Sequence, residues 1–173
     1  MNRLIALLLC CCAMLSSAHA QSTCASDNPA ITAIQARWNT AVGVTATATA
    51  TVPAGFADDA LPLQWQLLPM AQAEAQFGAQ SFKSGKTMRF FNQALWQVER
   101  DGDYWVVADS GVWLDVRDMA AGGQALQAQD FNHGLRCAGI YKAVKFRLHR
   151  GSYTLAIASD QVEQVRIAAT RAP

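Results

Sequence analysis

The chain has 173 residues, 51% hydrophobic and 16% charged, with 14 basic against 13 acidic side chains and a formal net charge of +1. So small a net charge gives no electrostatic drive toward nucleic acid or an anionic membrane surface. The length suits one domain with a proper core and excludes a disulfide-dense miniprotein.

The N-terminus reads as an export signal. Arg3 supplies a positive charge, Leu4 to Leu15 is an apolar run, and Ala18-His19-Ala20 sets small residues where a signal peptidase reads them. The run is too short to cross a bilayer as a helix. Residues 1–20 are therefore expected to leave, and residues 21–173 to fold as one domain in the periplasm or outside the cell. No transmembrane segment is expected in that mature chain. Cys10, Cys11 and Cys12 fall in the signal, and none follows the small residue that lipidation needs. Cys24 and Cys137 remain, and in an oxidising compartment two cysteines most simply form one disulfide. That bridge would close a loop of about 113 residues, for ~4–5 kcal/mol by chain-entropy arithmetic. A reactive or metal-bound thiol is the competing reading.

Asp27-Asn28-Pro29, followed by Ile31, Ile34 and Trp38, predicts one short N-terminal helix with its cap and first-turn proline. Thr45 to Thr51 alternates threonine with alanine and predicts an exposed strand, with a flexible linker as the alternative. Leu61, Leu63, Trp65 and Leu67 alternate as a half-buried strand ending at Pro69. Met70 to Phe77 is ambiguous, helical by propensity yet alternating in pattern. Gln80 to Thr87 reads as a solvated loop.

After Met88 the strand signal is clear. Ala94–Val98 and Tyr104–Ala108 flank an Asp-Gly turn of the kind hairpins prefer, and Val112–Val116 follows Ser110-Gly111. Arg117 to Leu135 shows no period. Val144, Phe146 and Leu148 then face inward against Lys145, Arg147 and His149, followed by strands through Tyr153–Ile157 and Val162–Ala168. The expected fold is all-β: an antiparallel β-sandwich, jelly-roll-like, of about seven to nine strands with one short N-terminal helix.

The chemistry-bearing side chains concentrate between Trp113 and Lys142: Asp115, Arg117, Asp118, Asp130, His133, Arg136, Cys137 and Lys142. Asp115 lies among Trp113, Leu114 and Val116, so its carboxylate is either paired for the fold, with Arg136 or Lys142, or turned to a ligand. His133 and Cys137 are four apart, a metal-ligand spacing on a helix, but Gly134 argues for a loop. The aspartates offer a hard cation no recognisable ligand loop. Of the five tryptophans, Trp105 is the candidate for an outward ring, because Tyr104 and Trp105 must point to opposite faces of one strand. No G-x-S-x-G, glycine-rich phosphate loop or H-E-x-x-H occurs.

The stretch Gly111-Val112-Trp113-Leu114-Asp115-Val116, then His133, Cys137, Gly139-Ile140, Lys142, Val144, Phe146, Leu148, Gly151, Tyr153 and Leu155, resembles a group of small secreted proteobacterial proteins labelled homogentisate 1,2-dioxygenase. The resemblance is clear in the C-terminal part; the N-terminal half shares an early cysteine and a strand ending Leu67-Leu68-Pro69. The label implies Fe(II) held by two histidines and a carboxylate. The expected mature chain offers only His133 and His149, with Glu99, Glu163 or an aspartate as third, and an outward His149 does not suit that set.

Read from its residues, the chain is expected to be a non-catalytic binding or accessory module without a cofactor. Its partner would be an envelope protein or a glycan, not nucleic acid. The ligand-binding candidates are Asp115, Asp118, His133, Lys142 and Trp105. The alternative is a metal-binding protein or enzyme centred on Asp115, His133 and Lys142.

Overall fold

A computed structural model describes residues 29–80, 87–132 and 138–173. The expected signal, Cys24, His133, Cys137 and most of the Gln80–Thr87 loop lie outside the described residues. The described chain is mostly strand: β1 (Val42–Val44), β2 (Leu63–Gln66), β3 (Leu68–Pro69), β4 (Phe90–Val98), β5 (Gly102–Ala108), β6 (Trp113–Asp118), β7 (Gln124–Ala125), β8 (Asp130–Asn132), β9 (Lys142–Leu148), β10 (Gly151–Ser159) and β11 (Gln164–Arg171). Two helices accompany them, α1 (Pro29–Gln35) and α2 (Met70–Phe77).

The strands form two sheets, ordered β1-β2-β11-β5-β9-β8 and β3-β4-β10-β6-β7. Every pairing is antiparallel except β1 with β2. Four-strand blocks β2-β11-β5-β9 and β4-β10-β6-β7 reproduce the strand order of a jelly roll, in which the chain repeatedly crosses between layers. The fold is therefore the expected all-β sandwich. Among the described residues it has eleven strands, four of them only two or three residues long, and a second helix at Met70–Phe77, where propensity prevails over the alternating pattern.

Alternation places the core as the sequence predicts. Leu63, Trp65, Trp96, Tyr104, Leu114, Val116, Val144, Phe146, Leu155 and Ile157 interdigitate between the sheets. Asn92 is fully buried, and its Nδ2 donates to the Gln66 carbonyl at 2.9 Å, joining β4 of one sheet to the end of β2 in the other. Each outer face is capped by a helix. Ile31, Ile34 and Trp38 of the α1 region cover Trp105, Val107, Ala143 and Ala168. Ala73 of α2 packs on Phe91, Ala156 and Ala158, with Trp113 at the margin.

Three local expectations require correction. Thr45–Thr51 makes only an isolated bridge, from Thr51 to Leu95, because threonine and alanine in alternation offer no large apolar side to bury. The strand at Leu61–Leu68 is split at Leu67, where the chain passes from β2 in one sheet to β3 in the other. The Asp101-Gly102 turn does not close a hairpin: β4 and β5 belong to different sheets, so the turn is an arch across the core. The β9–β10 turn is built the same way. In each arch a tyrosine donates its hydroxyl to a carbonyl four residues upstream, Tyr104 to Arg100 at 2.6 Å and Tyr153 to His149 at 3.0 Å. Asp101 joins the two arches, accepting from the Arg150 N–H at 2.6 Å and lying 3.1 Å from His149 Nδ1. Those two bonds, the first the larger, hold its carboxyl below the ordinary range.

Candidate functional site

The crossover from β7 to β8 leaves one side of the sandwich open. Strand β6 pairs with β10 along its whole length but with β7 only at Arg117 and Asp118, so among the described residues its leading half has a bare edge. On the opposite layer β9 presents Lys142, Val144 and Phe146 toward that edge. A cleft of about 900 Å³ occupies the gap, bounded also by Gly123, Ala125 to Ala128 and Phe131 from the crossing segment. That capacity lies in the range of small-molecule sites.

Asp115 and Lys142 both line this cleft. They reach it from different layers. Asp115 stands opposite Ala156 on the outer face of its sheet, while Lys142 begins the inward-facing row of β9. The Lys142 Nζ donates to the Val112 carbonyl at 2.8 Å and lies 5.5 Å from the Phe131 ring centre and 5.9 Å from that of Trp113. Both distances suit a cation over an aromatic face. Burial lowers the Lys142 pKa, and the Asp115 charge opposes that shift. Among the described residues Asp115 pairs with Arg117, at 3.7 Å, and not with Lys142; Arg136, the other partner the sequence suggested, lies outside the described residues.

The remaining described candidates lie elsewhere. Asp118 closes the β6–β7 turn, its Oδ1 accepting from the Ala120 N–H at 2.8 Å, and does not line the cleft. Trp105 does leave the main core, as alternation requires, but α1 covers it to 6% exposure; it is a packing residue on the far face, not an exposed platform. His149 is exposed beside Asp101. His133 lies outside the described residues. Among the described residues no group of three or more His, Cys, Asp or Glu side chains is arranged to hold a metal ion, and no helix is long and apolar enough to cross a membrane.

Sequence reasoning missed Phe131 and Leu126. Both sit in the segment without periodicity, and Phe131 is 49% exposed at the cleft mouth. A large exposed aromatic in an aperiodic stretch was the available signal. The site thus defines a jelly-roll sandwich with a lateral, aromatic-rimmed cleft. Compared with protein-family models and with curated proteins, the chain finds no match.

Proposed function

We propose that this is an exported, non-catalytic binding module whose ligand seats in the lateral cleft. One observation carries the reading: Asp115 and Lys142, drawn from opposite layers, line one cleft of about 900 Å³ with Trp113 and Phe131 beside the cation. A fold needs none of this. A half-buried ammonium beside rings is costly, and an open sandwich edge is a liability that a protein serving only as a spacer would close. The leader at residues 1–20 and the balanced charge support an envelope or extracellular address.

The test is a thermal-shift screen of sugars, short peptides and small organic acids against the wild type and Phe131→Ala. Phe131 is half exposed, so its removal leaves the fold intact. A compound that raises the wild-type melting temperature and loses most of that effect in Phe131→Ala bears out the cleft. Equal shifts in both proteins for every active compound contradict it. Conversion of a bound compound to product favours the enzyme reading centred on Asp115, His133 and Lys142 instead.

A further inference from the structure

The chemistry of the cleft narrows its ligand, given the binding reading above. Among the described residues its lining carries three charged side chains, Asp115, Arg117 and Lys142. The first two face each other at 3.7 Å and offset one another. Lys142 is left as a single positive charge. Of its three N–H groups one is spent on the Val112 carbonyl, and no carboxylate lies within ion-pair distance of it among the described residues. A cation held among Trp113, Phe131 and apolar side chains is stabilised most by one anion that enters with little water. Below it, Leu114, Leu126, Val144 and Phe146 line an apolar floor.

The bare edge of β6 is too short for a peptide strand. In an antiparallel strand the N–H and C=O groups of alternate residues point to the same side. The Val116 carbonyl accepts from the Leu126 N–H at 2.8 Å, and the Val112 carbonyl accepts from Lys142 Nζ. The carbonyls at both ends of the free edge are thereby engaged, and the groups between them on that side are the Leu114 N–H and C=O and the Val116 N–H. So short an edge does not support strand addition, which needs a run of main-chain bonds. It does offer one more donor beside Lys142.

We infer that the cleft takes a small amphiphilic monocarboxylate, its carboxylate on Lys142 Nζ beside the Leu114 N–H and its apolar body along Leu126, Val144 and Phe146. Binding is measured by calorimetry with decanoate, decanol and decylammonium as probes, matched in chain and differing in charge. Decanoate is expected to bind about tenfold or more tightly than decanol, the size of a charge-assisted hydrogen bond, and decylammonium not at all. Lys142→Met should erase the preference for decanoate and Lys142→Arg keep it, with the circular-dichroism melt reporting that both variants fold. Equal affinity for decanoate and decanol, or a preference that survives Lys142→Met, overturns the carboxylate assignment while leaving the cleft a binding site. Absence of binding by all three probes overturns it too; the binding reading then falls only if the wider screen finds no compound sensitive to Phe131→Ala.

Discussion

Lys142 illustrates how one side chain trades stability for a site. Burial lowers its pKa from the ordinary 10.5, with Asp115 acting against the shift, and the unfolded chain restores the ordinary value. Between the folded and the unfolded pKa the unfolded state binds more protons, so stability rises with pH across that window; below it the penalty on the charged amine is fully present. Lys142→Met is therefore expected to be more stable than wild type at neutral pH and to lack the alkaline rise, as pH-resolved urea melts would show. Lower stability of the variant at neutral pH would mean that the Val112 hydrogen bond outweighs the burial penalty. Asn92 has the opposite character. It is a fully buried amide satisfied across the two sheets, so Asn92→Ala leaves the Gln66 carbonyl without its partner and should cost about 1–3 kcal/mol at unchanged urea m-value. The sequence marks Lys142 as a ligand-binding candidate but not its burial, and it gives no sign of the bond that Asn92 makes between the sheets. Asp115 was singled out by its apolar neighbours, but Arg117, named in the same cluster, was not recognised as its partner two residues along the same strand face.

At the level of elements, alternation located β4, β5, β6, β9, β10 and β11 and set their inward rows, because a sandwich strand must turn every second residue to the core. What alternation does not encode is the neighbour. The Asp101-Gly102 turn has a hairpin's composition, yet β5 pairs with β9 and β11 while β4 pairs with β10. The bonds that hold the arch shape, Tyr104 to Arg100 and Asp101 to Arg150, involve a tyrosine that also reads as core and a partner far along the chain. Trp105 shows the same limit. Alternation sends its ring to the second face correctly, but only α1 packing tells that this face is covered. Ile34, fully buried on α1, is the measure of that cover. Ile34→Ala should lose about 2–5 kcal/mol and expose Trp105 to fluorescence quenchers before global unfolding. An unchanged melt and unchanged quenching would show that α1 is not bound to the sheet.

Across the molecule, the two sheets are covered by helices on their outer faces and joined by crossing arches at one end, and among the described residues the β6–β9 side is open. The jelly-roll class was legible because strand spacing and turn signals suffice for it. The cleft was half legible: its charged members were named, whereas its aromatic rim and floor depend on a crossover segment, Gly123 to Phe131, that has no period to read. The most direct test of the lateral cleft is an amide-resolved NMR titration of the protein with decanoate. Shift changes confined to Leu114–Arg117, Gly123–Phe131 and Lys142–Phe146 are predicted. Changes centred on the α1 face around Trp105 or on the Asp101–His149 arches, with the cleft amides unmoved, would contradict it.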